Sequence, residues 1–479
     1  MKGQAFNPYL PEWEYVPDGE PHVFGDRVYV YGSHDRFGAP MFCVGDYICW
    51  SAPVDDLSDW RREGVIYRRS QDPRNRLGLR LLFAPDVARG PDGRYYLFYA
   101  FDFMSVIGVA VCDEPAGRYE FYGHVSWPDG TLYGRRRGDG MAFDPGVLVD
   151  DDGRVWLYSG FRTHVPAIVT GGVQTRNDGG YLVELEPDML TVRGDQRLVF
   201  PTEGSGSFAG HGFFEASSIR KYEGRYVFVY SSVHNHELCY ASSDRPDGGF
   251  SFGGTLVSLG DVGLPGHPDE GHATNYLGNT HGGLLHAGDA YYVFYHRQTN
   301  RSSYARQACA ERLRGNPRDG FAQAEVTSCG LNGGPLAGRG AYPARIACNL
   351  RSASGAGRVD GRGARRRLAR HPYFTQEGSG RVARQYVANL REGAVVGFKY
   401  FDLEKTARLS VTARGRGEGR LVVATDEGGA DVIGLVGLQG LGCSWGSFSG
   451  ALASRGEREA LFLIVEGDVR VDLLGIELA

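Results

Sequence analysis

Glu223-Gly224-Arg225-Tyr226-Val227-Phe228-Val229-Tyr230 reads as a tight turn feeding a strand of alternating aromatic and β-branched residues that closes on tyrosine. The same phrase stands at Gly25 to Tyr31 (GDRVYVY), Asp92 to Tyr99 (DGRYYLFY), Asp152 to Tyr158 (DGRVWLY) and Gly288 to Tyr295 (GDAYYVFY). A hairpin unit recurring in series cannot bury its apolar face alone, and stacking the units radially solves that problem. Five copies predict an all-β, five-bladed β-propeller.

A second feature keeps the same period. Cys49 to Asp56, Val111 to Gly117 and Ala241 to Gly248 each read as a strand ending in an Asp/Pro turn, ahead of an aromatic outer strand at Trp60, Phe121 and Phe250. The pattern stops near residue 325, and Gly330 to Pro335 reads as a linker. Short alternating segments with Gly-rich turns then run to the end, among them Val395 to Phe401 and Ala460 to Val465, and predict a jelly-roll-like β-sandwich. The expected division is a propeller over residues 1–328, a linker over 329–340 and a sandwich over 341–479. Arg365-Arg366-Arg367 reads as a solvated loop.

Composition narrows the function classes. A formal charge of −5 without long blocks of one sign argues against nucleic acid or an anionic membrane as partner. No stretch has the length of a signal peptide's apolar core or of a membrane span, so a soluble cytoplasmic protein is expected. Eight scattered cysteines without a CxxC pair read as small buried hydrophobes in a reducing compartment. The 71 glycines, 27 tyrosines and 25 phenylalanines suit a turn-rich β protein that handles sugars, whose apolar faces stack on aromatic rings.

A conspicuous polar residue precedes each closing tyrosine by 13 to 15 positions: Asp18, Asp86, Asp144, Glu215 and His281. If each blade's first strand lines the central channel, these form a ring of carboxylates and one imidazole. Asp144 and Glu215 both follow phenylalanine. Apolar surroundings raise a carboxyl's proton affinity, which suits an acid that must protonate a leaving-group oxygen near neutral pH.

The segments around Asp18 (Val-Pro-Asp-Gly-Glu-Pro), Asp144 (Phe-Asp-Pro) and Glu215 (Phe-Phe-Glu-Ala-Ser) resemble, in order, the three motifs of glycoside hydrolase family 43. The resemblance covers roughly residues 7 to 325. It implies a five-bladed propeller that cleaves arabinosyl or xylosyl linkages with inversion, with Asp18 as general base, Glu215 as general acid and Asp144 holding the acid's pKa up. The C-terminal part is similar to the carbohydrate-binding sandwiches attached to that family. The base motif departs from the family's Asp-Pro, and Glu20, two residues on, is the alternative base. His281 matches the place where many relatives hold a central cation, often calcium. Asp86 and Arg297 are expected to bind sugar hydroxyls, and His34, Phe143 and Phe214 to shape the pocket.

The function expected is an exo-acting, inverting glycosidase releasing a terminal pentose from arabinoxylan or arabinan oligosaccharides. α-L-Arabinofuranose is the first expectation, with β-D-xylosidase or mixed activity as the alternative. A non-catalytic sugar-binding propeller is the alternative class. No organic cofactor is expected, and the oligomeric state is not legible.

Overall fold

The computed structural model describes residues 3–360 and 363–479. Five four-stranded antiparallel sheets, each in chain order, occupy residues 20–67, 82–124, 146–201, 213–258 and 284–322. The first strands of blades 1 to 4 adjoin in succession, and that of blade 5 returns to that of blade 1. The five-bladed all-β propeller read from the repeats is therefore the fold. No helix among the described residues is long and apolar enough to cross a membrane.

The repeat phrase explains the blades. In blade 4, Tyr222 pairs with Arg225 across a two-residue loop whose residues, Glu223 (φ 52°) and Gly224 (φ 78°), are both left-handed. That backbone matches the twist of the flanking strands. Blades 1 and 5 also turn in two residues, whereas blades 2 and 3 use five-residue loops between Arg89 and Tyr95 and between Val149 and Val155.

All five closing tyrosines, Tyr31, Tyr99, Tyr158, Tyr230 and Tyr295, are buried. The Tyr31 hydroxyl donates to the Pro115 carbonyl (2.7 Å), and that of Tyr158 to the Pro246 carbonyl. Each proline lies in the outer Asp/Pro turn of the following blade. The two periodic features of the sequence thus meet as a blade-to-blade hydrogen bond, which satisfies a hydroxyl that burial would otherwise leave unpaired.

Ring closure is made near the axis. Gly19 bridges Gly282 in parallel, joining the first strands of blades 1 and 5. The adjacent Gly283 has no room for a side chain: a Cβ there would stand 2.5 Å from the Glu20 carboxylate.

The C-terminal region is a sandwich of two six-stranded sheets. One runs Leu336–Ala337, Val395–Asp402, Glu459–Glu466, Arg420–Ala424, Val432–Gly437, with Asn349–Arg351 also on Val395–Asp402. The other runs Tyr373–Glu377, Arg384–Arg391, Val469–Leu478, Arg408–Gly417, Gly446–Ala451, with Gly340–Pro343 also on Val469–Leu478. Alternate residues such as Val396, Phe398, Leu461 and Leu463 face Leu409, Val411, Val471 and Leu473 in one core. Leu331, within the glycine-rich stretch, packs with Leu285 and Ala287 of blade 5.

Arg297, expected at the sugar, instead fastens the two domains. Its guanidinium is buried, donates to the carbonyls of Ala347 (2.9 Å) and Arg345 (2.5 Å), and lies 3.9 Å over the Phe374 ring. Lys399 of the sandwich reaches Asp261 (2.8 Å) and Glu325 (3.0 Å) of the propeller. The sandwich aromatics face this junction: Tyr373 carries the Arg301 guanidinium at 3.9 Å, and the Tyr400 hydroxyl donates to Glu325 at 2.6 Å.

Replacing Arg297 by alanine strands two buried carbonyls and uncovers Phe374. We expect it to cost about 3 kcal/mol in urea unfolding. Unchanged stability would show that this guanidinium does not join the domains.

Candidate active site

The loops that enter the first strands carry the site. Asp18 lies two residues before the first strand of blade 1 (Glu20–Phe24), Asp144 two before that of blade 3 (Gly146–Val149), and His281 three before that of blade 5 (Leu284–Ala287). Glu215 lies at the start of Phe213–Tyr222, where the register with the next strand slips on both sides of it. These β-bulges bend the strand end and re-aim its side chains. Asp18 (φ 57°), Asp144 (φ 48°) and Ala216 (φ 72°) are left-handed, a backbone that aspartate tolerates and that most residues avoid.

The four side chains line one pocket of about 450 Å³. Its wall is aromatic: Phe42, Phe83, Phe103, Phe143 and Phe161. The ring of Phe143 packs against Phe83 (5.4 Å), Phe103 (5.8 Å, stacked) and Phe161 (5.1 Å). Arg306 and Asn279 complete the lining.

Asp18 is buried, which by itself would raise its pKa, but the Arg306 guanidinium outweighs burial and holds it far below the usual carboxylate range. Arg306 Nη1 donates to Asp18 Oδ1 at 2.8 Å, while its Nε donates to Asp35 Oδ2, also at 2.8 Å. His296 is kept neutral mainly by burial. Its Nε2–H donates to the Asn279 carbonyl (2.9 Å), so Nδ1 accepts from the Asp18 amide (3.3 Å).

Glu215 is poised the other way. Burial and then the negative Asp144 push its pKa up to about 8. Asp144 is itself raised, chiefly by burial, and accepts from the Ala216 amide at 3.2 Å. His281 stands between Asp144 (Nδ1 to Oδ2, 3.5 Å) and Glu20 (Nε2 to Oε1, 3.9 Å). Burial would lower its pKa, but Asp144 and the other carboxylates lift it to about 9, so the ring is cationic at neutral pH.

Asp86 is not in this pocket. A register slip between Phe83 and Asp86 puts Phe83 at the wall and carries Asp86 deeper. There its oxygens accept from the Val147 amide (2.8 Å) and meet His22 Nε2 (2.6 Å). Arg297 lies at the domain junction. His34 does not line the pocket either; it contacts Glu14 (2.8 Å) and the Asp46 carbonyl (3.1 Å). Phe214 sits behind the wall, edge-on to Phe161 at 5.7 Å. Glu20, the alternative base, lies below the pocket with Oε2 on Arg220 Nη2 (2.6 Å) and Ser218 (2.9 Å).

The residue that sequence reasoning missed is Arg306. Its signal was the one charge in the run Ala305 to Ala310, since a charge inside a strand needs a buried partner.

Two groups bear on a metal. Glu20, His22 and Asp86 present ligand atoms within 4.8 Å of one another. Arg220 already bridges them, 3.1 Å from His22 Nε2 and 4.0 Å from Asp86, and so supplies their positive charge. Glu20 Oε1 is buried without a hydrogen-bond partner and faces His281 Nε2. A protonated ring has no lone pair to give a metal, so a calcium ion, taking the rest of its shell from water, would be held by Glu20 and His281 only with the ring neutral.

Comparison with known proteins agrees with this architecture. A sequence profile described as glycosyl hydrolases family 43 matches residues 16–321. The chain is 46% identical over 472 residues to a xylosidase/arabinosidase of Thermoclostridium stercorarium, covering 98% of this chain and 97% of that protein. It is 29% identical over 279 residues to a xylosidase/arabinosidase of Bacteroides ovatus, covering 52% of this chain and 80% of that one. Among solved structures, an arabinoxylan arabinofuranohydrolase of Bacillus subtilis shares the fold along both chains, 99% of this one and 97% of that one, with a TM-score of 0.50 at 18% identity. The chain is a glycoside hydrolase and belongs to glycosyl hydrolases family 43.

Proposed function

We propose that this enzyme is an exo-acting, inverting glycosidase that frees a terminal pentose, α-L-arabinofuranose before β-D-xylose, from arabinoxylan- or arabinan-derived oligosaccharides. The observation that carries the proposal is the opposite poise of two carboxyl groups in one pocket: Asp18 held ionised, Glu215 held protonated to about pH 8. The name of the Thermoclostridium relative, similar along nearly its whole length, supports a pentose as the released sugar. A pocket at the reacting groups, rather than a through-going cleft, supports the exo mode.

In this mechanism Asp18 takes a proton from a water as its oxygen attacks the anomeric carbon, and Glu215 gives its proton to the departing glycosidic oxygen. Asp144 keeps Glu215 protonated and is itself steadied by the His281 cation. The phenylalanine wall excludes water and receives the apolar face of the sugar. A metal cation held by Glu20 and a neutral His281 would take the place of the imidazolium as the positive charge beside Asp144. A purely sugar-binding propeller has no use for a base and an acid poised apart in this way.

On 4-nitrophenyl α-L-arabinofuranoside and β-D-xyloside, wild type should release nitrophenol, and Asp18→Ala should lose about 10³-fold in kcat. Glu215→Ala should lose about 10²-fold or more on oligosaccharides but less on these activated leaving groups. Activity surviving Asp18→Ala on both classes would remove the base from the mechanism. Proton NMR of the first-formed sugar reads inversion directly.

The pH profile has a definite sign. The acid must be protonated, so kcat/KM should fall as pH rises through about 8, and Asp144→Asn, which removes the neighbouring negative charge, should move that alkaline limb to lower pH. The base must be ionised, so Arg306→Gln should move the acidic limb to higher pH. Limbs that stay fixed in both variants would reject these assignments.

A further inference from the structure

A groove of about 1190 Å³ opens beside the pocket. One wall belongs to the propeller: Ala39 and Pro40 of the blade 1 loop, and Ser302 and Tyr304 of the blade 5 strand Ser302–Asn316. The other wall is the sandwich segment carrying Val359, Ala364 and Arg365. The two walls touch where the Ser303 hydroxyl meets the Val359 carbonyl at 3.4 Å.

The groove continues the pocket along two chain segments. Arg306 of the strand Ser302–Asn316 lines the pocket, and Ser302, Ser303 and Tyr304, at the place where the pairing slips from Gln298–Arg306 to Thr299–Ser302, line the groove. The blade 1 loop runs in parallel, from Phe42 in the pocket to Pro40 in the groove, and the rings of Phe42 and Tyr304 meet edge to face at 4.7 Å. A ligand leaving the pocket past Phe42 enters this groove.

Its polar groups are hydroxylic and cationic. Serine and tyrosine hydroxyls line it, with Arg301 and Arg365 and, among the described residues, no carboxylate. Arg301 is fixed in place, 3.9 Å over Tyr373 and donating to the Leu368 carbonyl at 3.4 Å. Arg365 is exposed and makes no ion pair among the described residues.

We propose that this groove, walled by both domains, seats the leaving-group chain of the oligosaccharide, and that Arg301 and Arg365 favour a chain carrying a hexuronate branch. The proposal rests on the pentosidase reading of the adjoining pocket. It makes the sandwich part of the substrate site by supplying one wall, rather than through a separate binding platform.

The test compares kcat/KM on arabinosylated xylo-oligosaccharides, with and without one glucuronate branch, against 4-nitrophenyl α-L-arabinofuranoside, which has no chain to fill the groove. Ala39→Trp should lower the oligosaccharide-to-nitrophenyl ratio about tenfold for both chains. Arg365→Glu should lower it about tenfold for the uronate-bearing chain alone, and added salt should shrink that difference. A ratio unmoved by Ala39→Trp would overturn the groove as the chain site. An equal effect of Arg365→Glu on neutral and charged chains would overturn recognition of the uronate. Should wild type cleave no pentoside, the pentosidase reading fails by itself, and calorimetric titration with the uronate-bearing chain reads the groove instead. Binding weakened by Arg365→Glu sustains it, and no binding to wild type rejects it.

Discussion

Arg306 is the buried charge on which both ring closure and chemistry depend. It comes from the last blade, and its guanidinium is shared between Asp18 and Asp35 of the first. One guanidinium between two carboxylates leaves a net negative charge, so the pair is held together with Asp18 still ionised. Asp35 takes most of the donors, through the Arg306 amide, Nε and Nη2, while Asp18 receives only Nη1 on Oδ1. Asp18 Oδ2 accepts no hydrogen bond among the described residues, and an oxygen so left can take a proton from water. Removing one partner from such a buried group typically costs about 3–5 kcal/mol, so the geometry that keeps Asp18 ionised also locks blade 5 to blade 1.

The same pocket keeps Glu215 protonated by the opposite means. The phenylalanine wall offers Glu215 no cation at bonding distance and excludes the water that would stabilise its charge. Asp144 then adds repulsion, while the His281 cation keeps Asp144 itself from becoming too costly to ionise. Deeper on the axis, Glu20 and Asp86 face Arg220, so the positive charge beneath the site is supplied by a side chain of blade 4. The ring of polar residues is therefore layered: reacting groups above, their counter-charges below.

This layering explains what the sequence could and could not reveal. The repeats disclosed five blades because each copy encodes a local hairpin and a tyrosine that reaches the next blade. Asp18, Asp144, Glu215 and His281 were legible because motif and offset agreed. Asp86 shared the offset but not the depth, since a bulge in its strand exchanges it for Phe83, and bulges leave no mark in a residue count. Arg297 and Arg306 differ by strand parity. Gln298 pairs with Arg306 while Arg297 pairs with Gln307, so Arg297 turns to the opposite face and meets the sandwich. The sequence marks both arginines, but only the register says which one enters the pocket.

The sandwich is tied to the propeller by charges that neither domain could bury alone. Lys399 is enclosed only because Asp261 and Glu325 meet it, and Arg297 only because the carbonyls of Arg345 and Ala347 and the face of Phe374 receive it. Tyr276, from the connection between blades 4 and 5, belongs to the sandwich core and donates to the Pro372 carbonyl. Cutting the chain between the domains would leave these groups desolvated on one side and unpaired on the other, a cost that falls on the part of the propeller holding His281, His296 and Arg306. A truncated propeller that lost activity would therefore say nothing about carbohydrate binding by the sandwich. Its role has to be read from single residues that touch the groove and not the junction, because only these separate contact with substrate from support of the site.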